Sequence, residues 1–243
     1  MIQISTPLNT KVSTTTKKIF EDRARTNILR SAEQATLTYL CVRMPAFMTP
    51  NLLTFIGLMG SVLVGVGFVL GKQNEYFLLL SIFGFIVQWF GDSLDGRIAY
   101  YRNQPRKWFG FSLDMSMDWI STIIIGLAFH YFLPDSYKIL AFTFVCSYGW
   151  LMILALMKYR VTGHYMIDAG LVGPTELRIA ICAVFFSEII FPGCLEAFAI
   201  GINIILVIVN LLDFNKLLNL ANERDAAERK TTTPIASEDR KVA

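Results

Sequence analysis

The chain has 243 residues, of which 54% are hydrophobic and 17% are charged, and its mean hydropathy is +0.49. This composition excludes an ordinary soluble domain and indicates an integral membrane protein. The 22 basic and 19 acidic residues leave a net charge of +3, a balance that argues against a nucleic-acid partner.

Two segments precede the first long apolar stretch. Residues 1–17 are polar and have no apolar centre, so they do not have the pattern of a cleaved signal peptide. Residues 18–46 place apolar side chains such as Ile28, Leu37 and Cys41 near helical spacing, with arginines on other faces. We therefore predict an amphipathic helix that lies on the cytoplasmic membrane surface. A helix packed on a partner protein is the alternative that the same pattern allows.

Six apolar stretches follow, each near the length of about 20 residues that a helix needs to cross about 30 Å of hydrocarbon. They run over residues 51–71, 76–100, 110–133, 138–158, 175–191 and 196–217. The predicted fold is an all-α integral membrane protein, with six transmembrane helices within residues 47–220 and the amphipathic juxtamembrane helix before them. Residues 221–243 are charged and lack a periodic apolar face, which predicts a disordered cytoplasmic tail.

Basic residues are concentrated in alternate connections between these stretches. Arg102, Arg106 and Lys107 lie between the second and third, Lys158 and Arg160 follow the fourth, and both termini are rich in Lys and Arg. The positive-inside rule therefore predicts that both termini lie in the cytoplasm. In a bacterium the membrane would be the inner, cytoplasmic one.

Four aspartates lie where the second and third stretches face each other across the basic loop. Asp92 and Asp95 are three residues apart and Asp114 and Asp118 are four apart, so each pair projects from one face of a helix. Carboxylates gathered in this way repel one another, and a bound divalent cation would offset their charge. Because ionisable groups in apolar segments mark functional sites, the pattern predicts a metal site on the cytoplasmic side.

These residues read Asp-x2-Asp-Gly-x2-Ala, a basic loop, and then Gly-x3-Asp-x3-Asp. The pattern resembles the signature of the CDP-alcohol phosphotransferase family, also called CDP-alcohol phosphatidyltransferases. Thr49-Pro50-Asn51 and Thr54 also resemble the family's entry into its first span, and the likeness covers residues 20–217. Seven positions carry the signature: Asp92, Asp95, Gly96, Ala99, Gly110, Asp114 and Asp118.

The resemblance implies an enzyme that cleaves the phosphoanhydride of a CDP-linked alcohol, passes the substituted phosphate to an acceptor hydroxyl and releases CMP. It implies that the four aspartates hold one or two Mg²⁺ or Mn²⁺ ions, with Asp118 as the general base or as a ligand of the second ion. It also implies a homodimer. The residues expected to contact the nucleotide are Asn51, Thr54, Asp92, Asp95, Gly96, Ala99, Arg102 and Gly110.

The chain departs from the family signature in two respects. Tyr100 stands where members carry Arg directly after the motif alanine, and the interval from there to Gly110 is one residue longer than usual. Arg97 and Arg102 lie on the same helix end, although neither occupies the position of the missing Arg. Because Arg supplies a bidentate fork that Tyr lacks, a catalytically impaired relative that binds nucleotide or lipid stays an alternative to the active enzyme.

A second polar group lies around the connection between the fourth and fifth stretches. Arg160 and Arg178 are on the same predicted side of the membrane as the aspartates, and we expect them to bind the acceptor or a lipid phosphate. The alternative for Arg178 is an interfacial side chain that pairs with Glu176.

The compact six-helix body resembles family members that take CDP-diacylglycerol as donor and attach a polar alcohol in phospholipid biosynthesis. Membrane lipids would then be partners as well as substrates. A CDP-choline or CDP-ethanolamine phosphotransferase that acts on a lipid hydroxyl is the alternative within the family. A cation-coupled transporter is a different class, which the position of the aspartates towards one face and the lack of an internal repeat disfavour.

Overall fold

The computed structural model describes residues 29–163 and 174–232, and every regular element in these two ranges is helical. Short 3-10 turns at Glu75–Phe77 and Asp135–Tyr137 lead into the third and fifth helices. The all-α prediction is confirmed for this part of the chain. Its α-helices are α1 (Arg30–Arg43), α2 (Pro50–Gly71), α3 (Leu78–Tyr101), α4 (Lys107–Phe132), α5 (Lys138–Thr162), α6 (Pro174–Ile190) and α7 (Cys194–Thr232).

Five of these helices are long and apolar enough to cross a membrane, namely α2, α3 with its 3-10 turn, α4, α5 and α7. They carry large apolar side chains on their outer surfaces, such as Phe55, Phe83, Leu127 and Phe142, as expected of helices that face lipid. The helix α6 has 17 residues and is not among the five. An integral membrane protein is therefore supported, and the sixth span stays a prediction.

The start of α2 follows from two neighbouring residues. The Thr49 hydroxyl accepts a hydrogen bond from the Leu52 backbone N–H at 3.2 Å, and Pro50 occupies the first turn of the helix. A side-chain cap satisfies a backbone donor that the helix leaves unpaired, and proline has no N–H to lose at this position. The helix therefore begins at Pro50, one residue before the predicted stretch 51–71.

Helices α2 and α3 are in contact through glycines. A Cβ atom built at Gly60 would lie 2.8 Å from Gln88 Cα and from the Gly84 carbonyl oxygen, and one built at Gly84 would lie 2.6 Å from the Val64 nitrogen. These distances are too short for real Cβ contacts, so the two backbones approach closely only because the side chains are missing. The contact fixes α3, which carries the first pair of aspartates, against α2.

The helix α1 packs against the beginning of α2 and the end of α3. Leu37 and Cys41 are buried in a cluster with Leu53, Leu94 and Ile98. Burial raises the pKa of the Cys41 thiol to about 11, so this side chain is a neutral core residue at physiological pH. The predicted helix over 18–46 is thus observed for Arg30–Arg43, with residues 18–28 outside the described ranges. Its position on a membrane surface stays a prediction.

The last helix is longer than the sequence predicts. We expected a disordered tail from residue 221, but α7 continues to Thr232. The segment is rich in alanine and long charged residues, which favour helix, and Arg224 pairs with Glu228 at 2.9 Å, one turn away. Arg224 also donates hydrogen bonds of 2.9 Å to the carbonyls of Arg160 and Val161. These bonds hold the extension on the end of α5, so the prediction was wrong for 221–232; residues 233–243, like 1–17, lie outside the described ranges.

Candidate metal centre and substrate cavity

A short connection joins the two aspartate-bearing helices, and both of them pack against α2. The helix α3 ends at Tyr101 and α4 begins at Lys107. Between them Asn103 adopts a left-handed φ of 58°, a conformation that asparagine tolerates better than most residues, and the Gln104 N–H bonds back to the Ala99 carbonyl at 2.9 Å. The turn reverses the chain, so that α3 and α4 both run along α2 and their carboxylates can converge.

Three of the four predicted metal ligands come together at this junction. One carboxylate oxygen each from Asp92, Asp114 and Asp118 lie within 4.8 Å of one another, and all three residues are partly buried. Oxygen donors at this spacing fit a hard divalent cation, because Mg²⁺ and Ca²⁺ bind carboxylate oxygens at about 2.0–2.6 Å. The donor set offers no sulfur or nitrogen, which disfavours zinc.

The fourth aspartate is directed elsewhere. Asp95 is 8% exposed, and its Oδ2 accepts a hydrogen bond of 2.7 Å from the Thr54 hydroxyl of α2. Its Oδ1 accepts a hydrogen bond from the backbone N–H of Gly96. Asp95 is therefore not part of the three-carboxylate group in these described residues. Its carboxylate instead joins α3 to the first turns of α2.

A cation from a distant part of the chain reaches the cluster. Arg178 in α6 donates a hydrogen bond from Nη2 to Asp92 Oδ2 at 2.7 Å. The guanidinium offsets part of the negative charge of the three aspartates and connects α6 to α3. Glu176, the alternative partner of Arg178, accepts a hydrogen bond with Oε1 from the Leu29 backbone N–H at 3.0 Å.

The aspartates form the polar end of a cavity of about 280 Å³. Asp92, Asp114, Asp118 and Arg178 line one end, and the cavity continues between the helices towards their other ends. There its walls are apolar, with aromatic rings from α2, α3, α4 and α6 packed around Phe185, whose ring centroid lies 5.0 Å from that of Phe68 and 5.8 Å from that of Phe85. The cavity can therefore accept a molecule that is charged at one end and apolar at the other.

The helices α5 and α7 complete the wall of this cavity, and polar pairs hold them in register. Asn203 accepts from the Thr143 hydroxyl at 2.8 Å, Asn210 donates to the Ser147 carbonyl at 2.8 Å, and Lys158 pairs with Asp213 at 2.8 Å. Hydrogen bonds of this kind are a common means of helix association in membranes.

The other residues predicted to bind nucleotide differ in how accessible they are. Asn51 is exposed and accepts a hydrogen bond of 2.8 Å from Arg106. Gly96 is partly exposed, but Ala99 is 5% exposed and offers little open surface. Among the described residues, no atom of another element lies within 4 Å of a Cβ built at Gly110, and its predicted contact with nucleotide stays a prediction.

Two of the predicted arginines do not line the cavity. Arg102 donates hydrogen bonds of 2.7 Å to the carbonyls of Pro45 and Met48, so its guanidinium holds the connection between α1 and α2. Arg160 is an exposed residue in the last turn of α5. Their predicted contacts with nucleotide and acceptor stay predictions.

Two features of the site were not found from the sequence. Gln88, one turn before Asp92, lines the cavity, and its place on the same helix face is a signal that the spacing contains. Arg97 lies 3.5 Å from the Glu33 carboxylate of α1, and it also donates a hydrogen bond to the Ser93 carbonyl. No sequence signal connects residues 33 and 97, because helical spacing describes neighbours along one helix only.

Comparison with known proteins agrees with the aspartate pattern. The family model described as CDP-alcohol phosphatidyltransferase matches residues 47–211. Among solved structures, Mycobacterium tuberculosis phosphatidylinositol phosphate synthase (PgsA1), crystallised with CDP-DAG bound, is similar in fold, with a TM-score of 0.55 and 18% identity over 77% of this chain and 94% of that chain. No curated protein matches the sequence. The matched range includes all four aspartates, Arg178 and α7 as far as Leu211.

Proposed function

Because the chain belongs to the CDP-alcohol phosphatidyltransferase family, we propose that it transfers a phosphatidyl group from CDP-diacylglycerol to a polar alcohol and releases CMP. The observation that carries this proposal is the convergence of Asp92, Asp114 and Asp118 within 4.8 Å at the polar end of a cavity with apolar depths. The solved relative with CDP-DAG bound supports the choice of a lipid donor.

The three aspartates are the residues that would hold the divalent cation of the family, Mg²⁺ or Mn²⁺. Such an ion supplies charge neutralisation at the diphosphate of the donor and orients it for displacement. Asp95 and the Thr54 hydroxyl that bonds to it would contact the nucleotide. Asn51 and Gly96 are accessible on the same side of the aspartate cluster. Arg178 would bind a phosphate oxygen of the donor or of a phosphorylated acceptor. Its guanidinium is 2.7 Å from Asp92, so a phosphate held by a cation at Asp92 would be within its reach.

The proposed reaction is a single displacement at phosphorus. The acceptor hydroxyl oxygen forms a bond to the phosphorus that carries the diacylglycerol, and the anhydride P–O bond breaks, so that CMP leaves with the bridging oxygen. Asp118, one helical turn from Asp114, is the proposed general base that takes the hydroxyl proton. Its place in the cavity wall would let an acceptor reach it from within the site.

The apolar depth of the cavity supports a lipid substrate. Beyond the aspartates its walls are formed by side chains such as Phe85, Ile125, Phe129 and Phe185, which would exclude a fully polar ligand. Transfer of an acyl chain from water into such a cavity is favourable by about 0.8 kcal/mol per buried CH2 group. A chain that enters from the bilayer is already out of water, so its stabilisation comes from packing against these rings. Inositol, inositol phosphate, glycerol phosphate and serine are the acceptors to be tried.

The orientation in the membrane and the assembly are part of the proposal. The basic residues Arg102, Arg106 and Lys107 lie at the same end of the helix bundle as the aspartates, which favours a cytoplasmic site. Labelling of a Gln104→Cys variant by a membrane-impermeant reagent, in sealed right-side-out and inverted vesicles, tests the orientation. We also expect a homodimer, and mass measurement of the protein in detergent tests it.

The function itself is tested with purified protein and radiolabelled CDP-diacylglycerol. We expect CMP release with one of the four acceptors, full dependence on Mg²⁺ or Mn²⁺, and loss of activity in EDTA. Soluble CDP-choline or CDP-ethanolamine with diacylglycerol is the parallel experiment, and turnover only there would replace the proposed donor. Nucleotide binding without turnover would indicate a catalytically impaired relative, and ion flux in liposomes without CMP release would indicate a transporter.

A further inference from the structure

The part of the cavity wall formed by α5 and α6 carries two hydroxyl groups that the proposed reaction does not use. Tyr148 of α5 and Thr175 of α6 line the cavity together with Arg178. Thr175 lies three residues before Arg178, so both side chains project from one face of α6. Tyr148 is near enough to Arg178 for an electrostatic interaction, and its ring stacks on Phe144 with the centroids 6.1 Å apart. Neutral hydrogen-bonding residues therefore accompany the guanidinium of Arg178.

The charges that line the cavity are mostly negative. Among the described residues, the charged side chains of the lining are the carboxylates of Asp92, Asp114 and Asp118 and the guanidinium of Arg178. The guanidinium is bonded to Asp92 at 2.7 Å. A divalent cation at the aspartates would be matched with the diphosphate of the donor. For a further anion, this part of the chain offers the cavity only the positive charge of Arg178.

The other basic side chains near this end of the bundle do not contribute to the lining. Four of them are paired or bonded elsewhere: Lys158 with Asp213, Arg97 with Glu33, Arg102 with the Pro45 carbonyl and Arg106 with Asn51. Lys107 and Arg160 are exposed and also lie outside the lining. Proteins recognise phosphate groups with clusters of such side chains, and the described residues form no such cluster at this cavity.

The start of α6 is another place where a phosphate could bind, because a helix amino terminus attracts anions. The helix begins with Pro174, which has no N–H to donate, and Glu176 lies in its first turn. The partly buried Glu176 accepts a hydrogen bond from the Leu29 N–H at 3.0 Å. Its carboxylate places a negative charge at the end of the helix that would attract a phosphate, so this helix start does not favour a second anion.

We propose that the acceptor is a polar alcohol with no net charge, such as inositol or serine, and that the hydroxyl groups of Tyr148 and Thr175 bind it. This inference rests on the proposed function, since it assumes that an acceptor enters the cavity beside a CDP-lipid. A phosphate monoester carries a charge of about −1.5 to −2 at pH 7. Beside the aspartates and the donor diphosphate it would be repelled, with Arg178 alone to offset the repulsion. An acceptor with no net charge requires hydrogen-bond partners, which the two hydroxyl groups supply.

The test compares acceptors that differ only in a phosphate group. Purified protein with Mg²⁺ and CDP-diacylglycerol is given inositol or inositol phosphate, glycerol or glycerol phosphate, and serine, and the lipid product is measured. The kcat/KM of the best acceptor without phosphate should exceed that of either phosphorylated one by a factor on the order of a hundred, because like charges brought together are costly. A preference for a phosphorylated acceptor, or equal use of both kinds, would overturn the proposal.

A double variant tests the two hydroxyl groups. Tyr148→Phe combined with Thr175→Val removes both hydroxyls and keeps the size of the side chains. The KM of the acceptor should rise at least about fivefold through the lost hydrogen bonds, while the KM of CDP-diacylglycerol stays within twofold of wild type. Tyr76→Phe combined with Thr36→Val changes the same residue types at exposed positions and should leave both values unchanged. An unchanged acceptor KM in the first double variant, or equal rises for acceptor and donor, would overturn the assignment.

The failure of the proposed function would look different. If no acceptor gives a lipid product, thermal unfolding with Mg²⁺, CMP and each acceptor compares binding without turnover, because a bound ligand stabilises the folded protein. Stabilisation by inositol or serine that the first double variant abolishes would support the inference. Stabilisation by inositol phosphate or glycerol phosphate, or by none of the acceptors, would overturn it. A product formed only from CDP-choline and diacylglycerol would overturn both proposals.

Discussion

Arg178 and Asp92 are 86 residues apart in sequence, yet the guanidinium Nη2 lies 2.7 Å from the carboxylate Oδ2. The bond links α6 to α3 and places a fixed positive charge beside three carboxylates that would otherwise repel one another. A divalent cation that binds Asp92 competes with this guanidinium. Arg178 would then be available to bind a phosphate oxygen. The same residue would offset the charge of the aspartates in the ion-free site and bind phosphate in the substrate-bound site.

Replacement of Arg178 by Gln should therefore change metal binding and turnover in opposite directions. The Mg²⁺ concentration for half-maximal activity should fall, because the ion no longer competes with a positive charge. The kcat/KM for CMP release should fall about tenfold to a hundredfold, as expected for a hydrogen bond to a charged group. Arg178→Lys keeps the charge without the planar fork and should lie between the two. Unchanged values of both quantities in Arg178→Gln would exclude this role.

Replacement of the three clustered aspartates should affect metal binding, nucleotide binding and turnover to different extents. Asp92→Asn and Asp114→Asn should abolish metal-dependent CMP release and weaken Mn²⁺ binding, which electron paramagnetic resonance of the purified protein measures. Asp118→Asn should spare nucleotide binding more than turnover, as expected for a general base. Asp135→Asn is the matched control, because Asp135 is exposed beyond the far end of α4 and pairs with Lys138. Equal loss of nucleotide binding in all three site variants would contradict the division of roles.

The hydrogen bond between Thr54 and Asp95 should matter for stability as well as for activity. Thr54→Val removes the hydroxyl that bonds to a carboxylate in a buried position, and we expect a loss of about 1–3 kcal/mol in the free energy of unfolding. Thr54→Ser keeps the hydroxyl and should restore most of it. Thermal unfolding in detergent and CMP release measure the two effects. Identical behaviour of the Val and Ser variants would show that the methyl group, and not the bond, is important.

The helices and the aspartate pattern could be predicted from sequence because both depend on local periodicity. The start of α2 follows from Thr49 and Pro50, and the pairing of Asp114 with Asp118 follows from their spacing of four residues. The bonds of Arg178 to Asp92 and of Thr54 to Asp95 connect different helices, and the bond of Arg102 to the Pro45 carbonyl connects two loops. Their formation depends on how the helices are rotated and how closely they approach. For α2 and α3 the approach is set by backbone contacts at Gly60 and Gly84, which spacing alone does not reveal.

The pair formed by Glu33 and Arg97 links α1 to α3, the helix that carries Asp92. Both side chains are about 5% exposed and lie 3.5 Å apart, so Glu33→Gln removes one charge of a buried pair. Breaking such a pair costs about 3–5 kcal/mol in soluble proteins, and we expect a marked fall in thermal stability in detergent. Glu223→Gln, an exposed residue of α7, is the control. Wild-type stability of Glu33→Gln would mean that α1 is held by its apolar contacts alone.

The glycine contact between α2 and α3 gives the sharpest test of the packing. At Gly60 a methyl group would lie 2.8 Å from Gln88 Cα and from the Gly84 carbonyl oxygen, and because both are backbone atoms the helices must separate. Gly60→Ala should therefore destabilise the protein by about 1–3 kcal/mol. Gly201→Ala introduces the same methyl group in α7, where no atom lies within 4 Å. There the higher helix propensity of alanine should stabilise the protein by up to about 1 kcal/mol. Thermal unfolding of the two variants should shift in opposite directions, and a shift in the same direction would show that the approach of α2 to α3 is not set by glycine.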